Sequence, residues 1–452
     1  YTVGTCVPSL YINGGTFANQ FANNQSFATQ WYMTGGTVTT VAVPQGNGIN
    51  FNTGFNLTTY PTNVSVLFNA PIVIRGTGLT FIIGKGTVPG GVDIICNSNI
   101  NGGSYIVMSG TGTLQLNDTN SFTGGVQING GELQVGIAEQ PGLGSPLGLG
   151  TISFGGGSLQ YSAANQYDYS GRFSTASGQL FSIDTAGQSV TLATNLSSSG
   201  GTLTKLGLGT LTLTAANGYT GLTTVSNGTL LLGTGGSIAA SSGVSIAAGA
   251  TFDVVALGSP YTFGAGSSLI ASGTTASPAT INAAGTVSLG SIPITLNYDS
   301  TDAAPQPALN VSGALSLNGN AFTVNTLSGL PLANGVYVVA QASSVATAGT
   351  YPPVLGTAIG PTSKGAISVS GAQVLLTVSS INANPPPIQF SLNGNTLTLS
   401  WPTNSGWTLQ SNSINIAVPT DWFSIPGSSS VTTFPINVNT AKTNVFYRLF
   451  LP

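Results

Sequence analysis

Residues 110–136 read GTGTLQLNDTNSFTGGVQINGGELQVG, and residues 207–233 read GLGTLTLTAANGYTGLTTVSNGTLLLG. The two align without a gap at an offset of 97, which is 207 minus 110. Leu114/Leu211, Leu116/Leu213, Asn120/Asn217, Gly131/Gly228 and Leu133/Leu230 are identical, and Phe122 is matched by Tyr219. Turn glycines and leucines kept in one gapless register mark a single structural unit used twice. The leucines alternate with polar or small residues, the period of a strand with one apolar face. Asn-Ser-Phe-Thr-Gly-Gly and Asn-Gly-Tyr-Thr-Gly are corner chemistry, because Asn and Gly accept a positive φ where branched residues do not. A unit of this kind leaves its apolar face open and needs neighbours stacked on it.

Outward from the repeats, the composition is that of an all-β chain. The 452 residues include 63 glycines and are 41% hydrophobic, enough for a packed core. Asn13-Gly14-Gly15-Thr16-Phe17 and Thr34-Gly35-Gly36-Thr37-Val38 already read as turns entering strands. Residues 1–105 are aromatic-rich and are expected to form irregular capping coils. Residues 106–383 are expected to form the main stack, with Ile152–Tyr161 as a further turn-and-strand unit. Asn384-Pro385-Pro386-Pro387 reads as a linker, since consecutive prolines cannot continue a ladder. Residues 388–452 hold three of the four tryptophans and read as short antiparallel strands, a small β-sandwich-like module.

The pattern GxGTLxL, then N(S/G)(F/Y)TG, then (N/G)GxLxxG resembles the autotransporter-associated β-strand repeat of bacterial surface and secreted passenger proteins. The resemblance implies a right-handed parallel β-helix exported to the cell surface or beyond, and it brings no catalytic residues with it. The tail resembles the small carboxy-terminal module that follows such repeats in certain exported proteins. A chain beginning at Tyr1 rather than Met is read as a mature product whose leader was removed. In an exported protein the two cysteines, Cys6 and Cys96, are expected to pair, fastening the amino-terminal edge to a later coil.

Seven basic and ten acidic residues, and no histidine, bound the function further. Nucleic acid and anionic membranes need basic clusters, and the sequence has none. Histidine-based nucleophiles and metal sites are excluded. The acids are scattered, with Asp299 and Asp302 the only close pair, so the expectation is no enzyme and no cofactor. A polysaccharide-active β-helix stays open only if the scattered carboxylates converge in space. Thr210-Leu211-Thr212-Leu213-Thr214 could place hydroxyls in flat rows. Few titrating groups also imply a stability nearly independent of pH.

The reading is an extracellular structural protein that assembles with copies of itself into a filament or lattice. The joining surfaces are expected among Tyr1, Val3, Tyr11, Trp401, Trp407, Trp422, Phe446, Tyr447 and Phe450. The alternative is a monomeric adhesin that binds glycan or cell-surface components through its aromatics.

Overall fold

The computed structural model describes residues 9–19, 25–27, 30–40, 48–51, 54–142, 144–258, 260–274, 277–301, 306–381, 386–402, 407–438 and 444–450. Among them are strands and four single-turn 3-10 segments, with no α-helix. The chain divides into two compact units, Tyr1–Ile359 with Gly365–Val378, and Gly360–Lys364 with Ser379–Pro452.

The first unit is a parallel β-helix. Its spine is a 14-stranded sheet running from Thr16–Asn19 to Phe322–Thr326. A seven-stranded sheet, Ser9–Ile12 to Ile152–Phe154, flanks the early coils, and a nine-stranded sheet beginning at Ser189–Leu192 flanks the later ones. Successive coils stack residue on residue. Ile94 pairs with Val66 on one side and Leu114 on the other, and Cys96 lies between Phe68 and Leu116. All six side chains are buried, as alternation in a strand with one covered face requires.

The corners depend on close backbone approach. Gly131 and Gly228 hold equivalent places in the two repeats, at φ +65° and +64°. A Cβ there would lie 2.4 Å from the carbonyl oxygens of Gly112 and Gly209 respectively. Both the backbone angle and the space demand glycine.

The two repeats do not occupy the same sheets. In the first, strands Ile106–Gly110 and Val126–Ile128 belong to the seven-stranded sheet, and Thr113–Leu116 and Glu132–Val135 to the spine. In the second, the equivalent leading strands Thr202–Leu206 and Thr223–Val225 are themselves spine strands, and Thr210–Leu213 and Thr229–Leu232 lie in the nine-stranded sheet. The changeover falls between Ser158–Gln160 and Leu180–Asp184, which pair directly through Leu159↔Ile183 and Gln160↔Asp184. The intervening residues 161–179 stay bonded to the coils on either side, Tyr161 N donating to Asp184 O at 2.9 Å and Ser174 N to Ile152 O at 2.8 Å, and they bury the rings of Tyr161, Tyr169 and Phe173.

Within residues 1–105, expected to form irregular capping coils, the described strands recur in coils of three, the first being Ser9–Ile12, Thr16–Asn19 and Gln25–Phe27. The aromatics that disguise the pattern sit inside these coils. Trp31 is fully buried with its ring centroid 5.6 Å from that of Phe51, 5.9 Å from Phe55 and 6.2 Å from Phe68. At the far end the parallel order stops, where Gly335–Gln341 pairs antiparallel with Gln373–Ser380.

The second unit has two three-stranded antiparallel sheets. One is ordered Gln389–Asn393, Thr396–Ser400, Thr433–Asn437, and the other Phe423–Ser424, Thr408–Asn412, Phe446–Phe450. Leu399, Trp401, Trp407, Leu409 and Leu449 form its core. Of the expected linker, Asn384 and Pro385 lie outside the described residues.

Gly228→Ala is expected to destabilise the first unit by about 2 kcal/mol or more, from positive-φ strain plus overpacking. Gly142→Ala, where φ is also positive but no atom lies within 4 Å, should cost only the strain, about 1 kcal/mol. Denaturant melts of the two variants check the ordering.

Candidate interaction surface

The outward face of the spine carries a chain of amides. Asn117 Nδ2 donates to Gln115 Oε1 at 3.1 Å, Gln115 Nε2 to Gln134 Oε1, Gln134 Nε2 to Gln160 Oε1, and Gln160 Nε2 to Asp184 Oδ2 at 3.2 Å. From the same Asn117 a second branch runs through Asn97 to Asn69, each step 3.0 Å. Every donor in the first branch points toward the Asp184 carboxylate, so each bond polarises the next. The stack builds this row because side chains at one register position repeat at each coil, close enough to bond. The sequence signal is the recurrence of Leu114-Gln115-Leu116, Leu133-Gln134-Val135 and Leu159-Gln160-Tyr161.

The nine-stranded sheet carries hydroxyls instead. Ser189, Thr210, Thr229, Thr251 and Thr280 are paired in register and point outward. The neighbouring row, Thr191, Thr212, Leu231, Asp253 and Asn282, is chemically mixed. The hydroxyls therefore make one line, whereas matching a regular two-dimensional lattice takes at least two.

Carboxylates scattered in sequence do meet beside the spine. Thr113 N donates to Asp93 Oδ2 at 2.8 Å, and Thr113 Oγ1 to Glu132 Oε2 at 3.5 Å. Lys85 Nζ lies 3.8 Å from Asp93 and donates to Thr113 Oγ1 at 3.1 Å. Asp93 is buried, and its other oxygen accepts from Gly86 N at 2.8 Å. Both its oxygens are thus held by backbone, the geometry of a clamp between coils and not of a free base or nucleophile. Burial pushes the Glu132 carboxyl up to about 7, with Asp184 adding to the rise and Lys85 opposing it.

Inside the second repeat lies a buried lysine. Lys205 replaces Met108 of the first repeat, and the two side chains follow one path, ending against Gly228 and Gly131 respectively. Lys205 Nζ donates to the carbonyls of Leu206, Gly207 and Asn227 at 2.8, 2.7 and 3.1 Å. All three ammonium protons are used. Burial still pushes its pKa down to about 8, with Asp184 opposing.

The residues expected at joining surfaces separate into classes. Tyr1, Val3 and Cys6 lie outside the described residues. Tyr11 is 64% exposed and heads a row of stacked rings, 4.9 Å from Tyr32, which lies 6.3 Å from Tyr60. Trp401 and Trp407 do not present a surface; they are core residues of the second unit, because a module this small needs its largest side chains inside. Tyr447 is half-buried against that core. Trp422, Phe450 and exposed Phe446 belong to the outer side, where the Arg448 guanidinium sits 4.2 Å from the Trp422 ring centroid and 5.7 Å from that of Phe450. Cys96 is a free thiol in the stack interior, pushed up to about 12 by burial. Asp299 closes a turn by accepting from Thr301 N at 3.0 Å, and Asp302 lies outside the described residues.

Two measurements test this chemistry. The folded Glu132 binds its proton more tightly than the unfolded chain, whose carboxyl titrates near 4.5. Its contribution therefore favours folding below that pH and is lost as the pH rises through about 7. Partial exposure limits the effect to about 1 kcal/mol. Glu132→Gln should flatten the thermal stability of the first unit between pH 5 and 8 and raise it at pH 8. Lys205→Met, the residue of the first repeat, should raise stability at pH 7 by about 1–2 kcal/mol, since an apolar side chain of matching path avoids burying an ion. The gain should shrink above pH 8, where the wild-type lysine loses its proton.

Residues 106–135 and 203–232 match the family model of the passenger-associated-transport-repeat. A curated relative, the adhesin BmaC autotransporter of Brucella suis biovar 1 (strain 1330), is 31% identical over 169 residues. The match takes in 35% of this chain and 4% of that protein's length. No solved structure matches. The two copies recognised in the sequence are passenger-associated-transport repeats, set in a parallel β-helix of the kind their resemblance implied.

Proposed function

We propose that this is an exported, surface-displayed structural protein without enzymatic activity, which adheres to copies of itself to form a filament or lattice. The observation that carries the reading is the character of the outward faces. They present long register-matched rows of uncharged hydrogen-bonding groups, the amides of the spine and the hydroxyls of the nine-stranded sheet. With seventeen charges in 452 residues, seven basic and ten acidic, two such surfaces approach each other with little repulsion. Each row is already a regular array of donors and acceptors, so one contact repeated along it gives register as well as strength. A contact between unlike surfaces that does not close generates a fibre. The amino-terminal residues Tyr1–Leu10 and the tail Ile388–Pro452 are the candidate joints.

A second reading is a monomeric adhesin that binds glycan or another surface component. The relative's description as an adhesin favours it, as does the exposed tyrosine row at Tyr11, Tyr32 and Tyr60. The geometry weakens it at the centre of the row, where Tyr32 has a ring stacked on each side, Tyr11 and Tyr60, whereas a sugar ring packs on an uncovered aromatic face.

Negative-stain electron microscopy and sedimentation of the purified chain, with and without reductant, distinguish the two. Filaments or sheets are expected. Dispersed monomers at all concentrations that bind a glycan array would overturn the assembly reading in favour of the adhesin.

A further inference from the structure

The second unit has one strand whose exposure its own fold does not account for. Among the described residues, Gln389–Asn393 is an edge strand, paired in its sheet with Thr396–Ser400 alone. Register places Phe390 beside Leu399 and Leu392 beside Leu397, which in turn lie beside Phe434 and Ile436. Phe390 and Leu392 thus stand on the face that forms the core of this unit. Even so, they are 77% and 63% exposed.

Edge strands are ordinarily blunted by a charge, a proline or a bulge. This one has none of the three: its pairing runs without a register shift, and no Asp, Glu, Lys or Arg occurs between Lys364 and Asp421. Its residues, Gln-Phe-Ser-Leu-Asn, are also symmetric in character about the central serine. Read in either direction they run amide, apolar, hydroxyl, apolar, amide. An antiparallel partner of the same sequence centred on Ser391 sets Phe390 against Leu392, Gln389 against Asn393, and Ser391 against itself. Such a contact is isologous and needs no second kind of surface.

We propose that Gln389–Asn393 is a pairing edge for a second copy of this chain, the two strands joining antiparallel about a two-fold axis at Ser391. The joint makes one six-stranded sheet from two three-stranded ones and brings the four uncovered apolar side chains together. It goes beyond the assembly reading, since it links copies in closed pairs and does not depend on the joints that would make a polymer.

The test is cysteine cross-linking of the full chain in a Cys6→Ser background, where Cys96 is buried in the stack. Directly opposed residues of an antiparallel pair have Cβ atoms about 4.5–5.5 Å apart, near enough for a disulfide to form with slight adjustment. Ser391→Cys should give a reducible dimer on mild oxidation. Gln389→Cys should not, because its counterpart in the second copy is four residues away, about 13 Å. Leu392→Lys should weaken dimerisation at least tenfold in sedimentation equilibrium. All three sites are exposed, so tryptophan fluorescence from the buried Trp401 and Trp407 should be unchanged and reports that the unit has folded. Equal cross-linking at positions 389 and 391, or a dimer indifferent to Leu392→Lys, would overturn the pairing. Filaments without a Ser391→Cys dimer would refute this joint and leave the polymer reading standing; a dimer without filaments would do the reverse.

Discussion

Each coil of this protein has two open sides that only the neighbouring coils can cover. Everything else in the first unit follows from that constraint. The inward rows have to be apolar at each level, which is why Val66, Ile94 and Leu114 share one row and Phe68, Cys96 and Leu116 another. The corners have to bring one backbone against the next, which is why the repeats keep glycine where a methyl group would strike a carbonyl. The backbone groups released at each corner also need partners. Asn120 and Asn217 serve this need in equivalent ways. Asn120 is buried, accepts from Ile100 N at 2.7 Å and donates to Pro146 O at 2.6 Å. Asn217, also buried, accepts from Leu196 N at 2.9 Å and donates to Ala215 O and Ser237 O. The motif asparagine is a cross-coil tie.

The same demand explains the buried lysine. A lysine can replace a methionine within the stack because its stem is apolar along the shared path and its tip emerges among corner carbonyls that accept hydrogen bonds. Lys205 is accommodated by the corner and not by a counter-ion, which separates it from a catalytic lysine. Phe122 and Tyr219 show a related tolerance. Both rings are buried, and the extra hydroxyl of Tyr219 is satisfied by Thr223 at 2.8 Å, which in turn meets Ser241 at 2.9 Å. A substitution inside a coil is admissible when each added polar atom finds a partner, in its own coil or in the next.

The class of fold was legible from the repeats because period-2 leucines and corner glycines report local geometry. The transfer of the repeat from one pair of sheets to the next was not. It depends on how residues 161–179 run between two neighbouring spine strands, and their sequence, with Tyr161, Tyr169 and Phe173 as its buried rings, has no periodicity to mark a change of sheet. The regularity of the first coils was hidden for a different reason. Trp31, Phe51 and Phe55 are strand residues chosen to fill a wide interior, and as a composition they look like a cap. In the tail, Trp401 and Trp407 were readable as important but not as core, since an aromatic residue in a short strand has the same signature whether it faces inward or outward. The amide row was readable in principle, from three Leu-Gln steps at the same place in successive coils, but only once the coil boundaries are known.

Outside the stack, the same repetition that builds the core orders the surface. A side chain placed at one outward position recurs at the next coil whether or not it has a partner, and the chain answers this with amides and hydroxyls more than with ions. Like charges recurring at coil spacing would repel along the whole stack, whereas an amide both donates and accepts and so can bond to its own kind. An uncharged surface is therefore a direct way to make a long parallel stack compatible with itself. It leaves a set of regular, weakly solvated faces that resist association less than ordinary protein surfaces do. The amide row ends at Asp184 although the spine runs on in register, because the residue paired with Asp184 in the next coil is Leu206, whose side chain can neither donate nor accept a hydrogen bond.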